Sequence, residues 1–211
     1  MYFGTCIHAG LASFYKGGDP VAAYIAETKK NNWQKPKTYN EEKYLSVGID
    51  LLERYKKDGV YLEPIPEWIE QRKIIQLANP KTGNIIPIPF SFQIDLITKD
   101  GYIVDHKTSS SADTNQNETN RLQGIAYQMA YRAIFGKKPK GFIQNLIVKQ
   151  KVPKFIPKIL SYSDDDEVYA FDLIEHVLDR IERKGYLIDK PTIKTFYPCP
   201  VKTICRIHSK T

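Results

Sequence analysis

Two aspartates and a lysine, Asp95, Asp105 and Lys107, lie within a short stretch of the chain that is otherwise rich in apolar residues. Carboxylate oxygens are good ligands for Mg²⁺ and Mn²⁺, and such an ion can polarise a phosphate and activate water. A nearby lysine can stabilise the charge that develops during hydrolysis. These residues predict a metal-dependent hydrolytic centre. The alternative is an amphipathic hairpin with an incidental salt bridge.

The length of the turn between Asp95 and Asp105 decides whether their carboxylates lie close together. The segments Phe90–Thr98 and Tyr102–Thr108 are rich in β-branched and aromatic residues, which predicts two strands of a hairpin. A three-residue loop at Lys99 to Gly101, with Gly101 in the left-handed conformation, places Asp95 opposite Asp105 on one face. A two-residue turn pairs Asp95 with His106 and puts the carboxylates on opposite faces. We predict the three-residue loop.

Length and composition limit the class of protein. The chain has 211 residues, enough for one α/β domain with a substantial core. It contains no run of about 20 apolar residues and no secretory signal pattern, which predicts an intracellular protein without a membrane span. It has three cysteines, and an odd number without an export signal favours a reducing compartment. The expected location is the cytoplasm, or the host cytoplasm if a phage encodes the protein.

The positive charge is concentrated in one segment. The net charge is +7, and the stretch between Gly136 and Tyr162 contains seven lysines and no acid. A basic segment of this kind is typical of proteins that bind a polyanion, and it predicts contacts with DNA phosphates. The alternative is a solvated surface that maintains solubility. The lysines at the start of the segment, Lys137, Lys138 and Lys140, are the predicted contacts.

Hydrophobic periodicity and breaker residues place these side chains on an alternation of helices and strands. Helices are predicted at 4–15, 21–30, 41–57 and 120–135, with a last helix capped by Ser163. Strands are predicted at 67–77, 90–98, 102–108, 141–149 and 155–162, the last weakened by Pro157. We predict a single domain in which a helical part (1–66) precedes the catalytic sheet and helix (67–162), followed by a helix and irregular tail (163–211).

The order of these elements and motifs resembles the PD-(D/E)XK nuclease superfamily. The matching motifs are Gly4-Thr5-Cys6-Ile7-His8, Phe92-Gln93-Ile94-Asp95, Asp105-His106-Lys107-Thr108-Ser109 and Gln123 to Tyr127. They are most similar to the RecB-like branch, which includes AddB nucleases, CRISPR-associated exonucleases and many phage enzymes. The resemblance implies a restriction-endonuclease-like αβββαβ core, with a central mixed sheet flanked by helices.

The resemblance also implies roles for residues. His8, Asp95, Asp105 and the main-chain carbonyl of His106 would bind the metal, and Lys107 would assist the attacking water. The implied cofactor is Mg²⁺ or Mn²⁺, and an imidazole ligand favours Mn²⁺. Side chains that would complete the site are Glu70, chosen over Glu67, together with Gln123 and Tyr127, which would contact DNA.

The sequence departs from the family pattern at two places. Phe92 stands where the family usually has glycine. Many relatives also hold an iron-sulfur cluster on four cysteines, whereas here Cys199 and Cys205 resemble only the last two, and Phe196 occupies the place of another. We therefore expect ordinary reduced cysteines and no cluster. A zinc site formed by Cys199, Cys205 and His208 is the alternative.

These features together predict a divalent-metal-dependent DNA exonuclease that acts in recombination, repair or defence. Exonuclease action is favoured because no base-reading domain remains once the core is assigned. One alternative is a catalytically silent DNA-binding module of the same fold, and another is a restriction-type or structure-specific endonuclease. The expected partner is DNA, and a homo-oligomer or a recombination or repair protein would be compatible with this function.

Overall fold

The computed structural model describes residues 2–30, 40–112 and 118–182. Three helices come first, namely α1 (Tyr2–Tyr15), α2 (Pro20–Lys30) and α3 (Glu41–Asp58). Three strands follow, namely β1 (Pro64–Ile75), β2 (Phe90–Thr98) and β3 (Tyr102–Ser109). The remaining elements are α4 (Glu118–Phe135), β4 (Gly141–Val148), β5 (Lys154–Leu160) and α5 (Asp164–Glu182).

The strands form one mixed sheet in the order β1-β2-β3-β4-β5. Neighbouring strands are antiparallel except β3 and β4, which are parallel and are joined by α4. This architecture confirms the predicted α/β class and the mixed sheet flanked by helices. The chain divides into two compact units, Met1–Asp172 and Leu173–Thr211, and the described part of the second is the end of α5.

The first strand differs from its prediction because of its place in the sheet. It was expected to begin at Glu67, after two prolines, but β1 begins at Pro64 and includes Pro66. Proline lacks the N–H donor that a central strand needs, yet it is tolerated at an edge. Both β1 and β5 are edge strands, and Pro157 accordingly lies within β5, paired with Asn145.

The hairpin between β2 and β3 has the predicted three-residue loop. Leu96 pairs with Val104 and Ile97 with Ile103, and this register places Asp95 opposite Asp105. Gly101 adopts a φ of +91°, and its N–H donates a hydrogen bond of 3.0 Å to the Thr98 carbonyl. A side chain at Gly101 would be strained in this left-handed conformation, so the glycine fixes the register on which the site depends.

The sheet separates two helical layers. One face packs against α1 and α3 through a core that contains Ile7, Leu11, Leu51, Leu52, Ile69, Leu96 and Val104. The opposite face is covered by α4, whose Ile125 and Met129 are buried. Helix α5 begins with the predicted cap, because the Asp166 N–H donates to Ser163 Oγ at 3.1 Å. Among the described residues, none of the helices is long and apolar enough to cross a membrane.

Candidate metal centre

The site begins where β2 and β3 stop pairing through their main chains. Beyond the Leu96–Val104 pair, the Asp95 carboxylate lies between the strands, and its Oδ2 accepts a 2.7 Å hydrogen bond from the His106 N–H. A side-chain oxygen thus satisfies a backbone donor in the interior of the sheet. This contact fixes the orientation of Asp95 and leaves its Oδ1 for other partners.

Helix α1 brings His8 to Asp95. A Cβ atom at Gly4 would lie 3.1 Å from Thr108 Oγ1, so glycine permits the first turn of α1 to approach β3 closely. His8 lies four residues later, on the same face of the helix. Its Nδ1 is 3.4 Å from Asp95 Oδ1 and 3.6 Å from Glu70 Oε1.

Glu70 reaches the site through an unusual backbone conformation in β1. Its φ is +55°, and Glu70 is the one non-glycine residue with a positive φ in the described parts of the chain. Such a conformation costs about 1–3 kcal/mol and is often found at functional sites. The Gln93 amide donates a 2.6 Å hydrogen bond to Glu70 Oε2, which holds the turned side chain. The structure thus places Glu70 beside His8, whereas Glu67 is exposed.

His8, Glu70 and Asp95 form a group that could hold a metal ion. Their ligand atoms all lie within 4.8 Å of one another. The three side chains line a cavity of about 520 Å³, whose wall also includes Gly4 and Thr5 of α1. Two carboxylates and an imidazole are a suitable donor set for a divalent transition ion such as Mn²⁺.

Asp105 lies next to this group on β3. Its side chain is buried, with Oδ1 lying 3.0 Å from Lys107 Nζ and 3.4 Å from the Gln123 amide nitrogen. Its other oxygen, Oδ2, has no hydrogen-bond partner among the described residues. A buried carboxylate oxygen without a partner is costly. A bound cation would satisfy it, so Asp105 fits a metal site although it lies outside the three-residue group.

Proximity of the two carboxylates affects their protonation. Burial and the neighbouring Asp95 charge raise the pKa of Asp105 more than Lys107 and His8 lower it, so that the pKa is about 6. Burial alone would raise the pKa of Asp95 too, but the His8 hydrogen bond and charge lower it. For His8, hydrogen bonds and charge from Asp95 and Glu70 outweigh burial and raise the pKa to about 10. His8 is therefore protonated at neutral pH, and binding of a cation to its imidazole would release that proton.

A hydrogen-bonded chain from α4 holds the lysine. Lys107 Nζ donates to Gln123 Oε1 at 2.9 Å, and the Gln123 amide nitrogen donates to the Tyr127 hydroxyl at 3.0 Å. The Tyr127 hydroxyl in turn donates to the Gln93 carbonyl at 2.7 Å. Burial, with the nearby acids, raises the pKa of Tyr127 to about 12, so its hydroxyl stays protonated. The structure therefore brings the predicted Gln123 and Tyr127 to the site.

Three residues outside the predicted site surround His106 on the opposite face of β3. Tyr15 stacks on its ring, with centroids 5.8 Å apart. The Asn145 amide nitrogen lies 3.0 Å from His106 Nδ1 and 3.0 Å from the Tyr55 hydroxyl. Burial lowers the pKa of His106 to about 4, so the ring is neutral. The available sequence signal was the polar Gln144-Asn145 pair within the apolar strand β4.

Several residues that the sequence predicted to be functional lie away from the metal-binding group or outside the described residues. Lys138 Nζ is 2.7 Å from Asp164 Oδ1, and Lys140 Nζ is 3.6 Å from Asp100 Oδ2, near the β2–β3 loop. Lys137 is exposed. Binding of DNA by these lysines stays a prediction, as does the His106 carbonyl ligand. The predicted cysteine and histidine positions Cys199, Cys205 and His208 lie outside the described residues.

Comparison with known proteins identifies the class to which this fold and site belong. The model of the PD-(D/E)XK nuclease superfamily matches residues 2–206, and the chain therefore belongs to that superfamily. Nucleases of this superfamily act on nucleic acids and use divalent metal ions, in agreement with the carboxylate and histidine group described above.

A solved structure shares this fold. A candidate exonuclease from Eubacterium rectale superposes with a TM-score of 0.59 at 15% identity, covering 94% of this chain and 80% of that chain. The protein SSO0001 superposes with a TM-score of 0.42 at 14% identity, covering 88% and 80% of the two chains. No curated protein matches the chain.

Proposed function

We propose that this protein is a divalent-metal-dependent DNA nuclease that removes nucleotides from DNA ends. The observation that carries the proposal is the convergence of His8, Glu70 and Asp95 within 4.8 Å, beside the unpartnered Oδ2 of Asp105. Supporting features are membership of the superfamily and similarity to a candidate exonuclease. The motifs around His8 and Lys107 favour the RecB-like branch.

Each site residue has a role in this proposal. His8, Glu70, Asp95 and Asp105 would hold Mg²⁺ or Mn²⁺, with His106 adding its carbonyl oxygen. A bound ion would polarise the scissile phosphate and lower the pKa of a water molecule. Lys107 is held by Asp105 and Gln123, so its ammonium group is positioned to stabilise charge on the phosphate. The water oxygen would bond to phosphorus as the bond to the leaving oxygen breaks, with the water losing a proton to solvent and the leaving oxygen gaining one.

The remaining contacts with DNA follow from the position of α4. Gln123 and Tyr127 line the site through their contacts with Lys107 and Gln93 and would meet the substrate strand there. Lys137, Lys138 and Lys140 are further candidates for phosphate contacts. Exonuclease action agrees with the absence of a base-reading domain from the described residues. The corresponding biological processes would be recombination, repair or defence.

Cleavage of end-labelled linear DNA tests the proposal. Single- and double-stranded substrates are incubated with Mg²⁺ or Mn²⁺ and with wild type, Asp105→Ala or Lys107→Ala. We expect the wild type to shorten linear DNA from its ends and both variants to be inactive although folded. A matched control is Asp58→Ala, which removes an exposed acid at the end of α3 and should retain full activity.

The outcomes distinguish the alternatives. Wild-type rates in either site variant would contradict the assignment of the site. DNA binding without cleavage in Mn²⁺ would favour a catalytically silent module. Cleavage of closed circular DNA would favour an endonuclease, because a circle has no end.

A further inference from the structure

A basic groove lies beside α3, outside the metal centre. Two cavities of about 500 Å³ and about 320 Å³ share Val47 and Lys149 as lining residues. The larger cavity is also lined by Phe3, Lys43 and Tyr44, and the smaller one by Lys151. We refer to the surface formed by these residues as the α3 groove.

The α3 groove is adjacent to the metal pocket. Phe3 lines the groove, and Gly4, the next residue, lines the cavity that contains His8. Lys149 follows β4, and its N–H donates a 2.8 Å hydrogen bond to the Ser109 carbonyl at the end of β3. A strand held at the metal pocket would therefore reach the groove around the first turn of α1.

The cations of the groove are available for an anionic ligand. Lys149 Nζ lies 4.7 Å from the centroid of the Phe3 ring, and Lys43 and Lys151 are exposed. Within residues 2–30, 40–112 and 118–182, none of these three lysines forms an ion pair. The acid in the groove wall, Asp50, is already paired with Arg54 at 2.9 Å.

Lysines that alternate with aromatic rings along a groove are typical of sites for a single nucleic-acid strand. The ammonium groups contact phosphates and the rings contact bases. In the α3 groove, the partly exposed Tyr44 packs edge-on against Phe3, with ring centroids 5.7 Å apart. The combination of lysines without an ion pair among the described residues, the partly exposed ring of Tyr44 and a neighbouring metal pocket matches a phosphodiester chain.

We propose that the α3 groove binds the backbone of the substrate DNA strand on one side of the scissile phosphate. This inference rests on the proposed nuclease function, and it adds a binding surface that is distinct from the metal ligands and from α4. Lys149 and Lys151 would contact phosphates directly. Such contacts contribute most of the salt-dependent part of the affinity.

Binding of a labelled single-stranded oligonucleotide in EDTA tests the groove without cleavage. The double variant Lys149→Gln/Lys151→Gln should weaken binding roughly tenfold at low salt and make the salt dependence shallower by about 1.4 in log–log slope. A matched control is Lys16→Gln/Lys57→Gln, which removes the same charge from two exposed lysines, one directly after the C-terminal end of α1 and one in the last turn of α3. The control should bind within about twofold of wild type.

Further variants separate the groove from folding and from catalysis. The variant Lys149→Arg/Lys151→Gln keeps the charge at position 149 and should therefore bind as well as Lys151→Gln alone. In cleavage assays, the double variant should show a raised KM with little change in kcat. Thermal unfolding of each variant checks that the fold persists.

Each outcome has a defined meaning. If the double variant binds and cleaves like wild type, or if the control loses as much affinity, the groove proposal is wrong while the nuclease proposal stands. If the wild type neither binds nor cleaves DNA, the nuclease proposal fails and the groove proposal fails with it.

Discussion

The two faces of β3 hold ionisable side chains in different states. Toward α4, Asp105 and Lys107 are charged groups, and one carboxylate oxygen of Asp105 lacks a described hydrogen-bond partner. Toward α1 and α3, His106 is neutral, stacked on Tyr15 and hydrogen-bonded to Asn145. Alternation along a strand thus places a cluster of charged groups and a buried, uncharged network at adjacent residues, and in that network Asn145 Oδ1 has no hydrogen-bond partner among the described residues.

The difference shows how one strand can serve both chemistry and stability. A buried cluster of charges costs folding free energy, whereas hydrogen bonds between uncharged buried groups hold their surroundings in place. The His106 network also serves the first face, because the His106 N–H holds the Asp95 carboxylate. Mutations on the two faces should therefore separate loss of activity from loss of stability.

The largest expected effect is that of Asp105→Asn on activity. The amide keeps the shape of the side chain but removes the charge, so we expect the cleavage rate to fall at least about a thousandfold. The free energy of unfolding in EDTA should stay the same or rise by about 1 kcal/mol, because the loss of the ion pair with Lys107 is offset by the removal of a buried charge next to Asp95. Initial rates and urea unfolding measure the two effects. A strong loss of stability would contradict the view that this face of β3 serves activity and the opposite face serves stability.

Lys107→Met should come second. It removes the positioned ammonium group while keeping most of the aliphatic stem, so we expect kcat to fall about a hundredfold. Single-turnover cleavage measures this loss. Lys99→Met is a matched control on the same hairpin, since Lys99 is exposed and pairs with Glu63 at 2.6 Å. Equal losses in both variants would contradict a specific role for Lys107.

His106→Phe tests the buried face through stability. The variant keeps an aromatic ring but removes one of the two partners of the Asn145 amide nitrogen, which keeps the Tyr55 hydroxyl, so the free energy of unfolding at pH 7.5 should fall by about 1–3 kcal/mol. Urea unfolding measures this difference. A variant as stable as wild type at this pH would show that the network contributes nothing.

The same variant has a pH dependence of known sign. The pKa of His106 is about 4 in the folded protein and about 6.5 in an unfolded chain, so the unfolded state binds more protons between these values. Wild type should therefore lose up to about 3 kcal/mol from this residue as the pH falls from 6.5 to 4. The phenylalanine variant lacks this loss, so the stability gap should narrow on acidification. A constant gap would contradict a buried neutral imidazole.

Tyr15→Phe should have the smallest effect. It removes a hydroxyl that lies 2.8 Å from the Tyr55 hydroxyl, which should lower the free energy of unfolding by about 0.5–1.5 kcal/mol. Tyr55 keeps its bond from Asn145, so the network persists and cleavage rates should stay within about twofold. Thermal unfolding and initial rates measure both quantities. A large loss of activity would mean that the two faces are not separable.

Local sequence rules were sufficient for the hairpin and for the order of the elements. Gly101 and the alternating pattern around it determine the register, and that register aligns Asp95 with Asp105. The spacing from Gly4 to His8 likewise reflects one helical face. These features depend on residues close in sequence, so a single sequence contains the information.

Other features depend on contacts between distant segments. The start of β1 at Pro64 reflects its place at the sheet edge, which its own sequence does not reveal. The left-handed backbone of Glu70 is likewise set by its surroundings, and the network of Asn145 joins residues 90 and 39 positions apart. The pairing of Lys138 and Lys140 with acids is also a tertiary property, and a charge count in one segment cannot show it.

The most direct test of the central claim is metal add-back to the EDTA-treated protein. Cleavage of one end-labelled linear DNA strand is followed as Mn²⁺ is titrated into wild type and Asp105→Asn. The account predicts no cleavage in EDTA, a saturable return of cleavage in the wild type, and no return in the variant. Cleavage by the wild type without a divalent ion, or equal recovery in the variant, would contradict it.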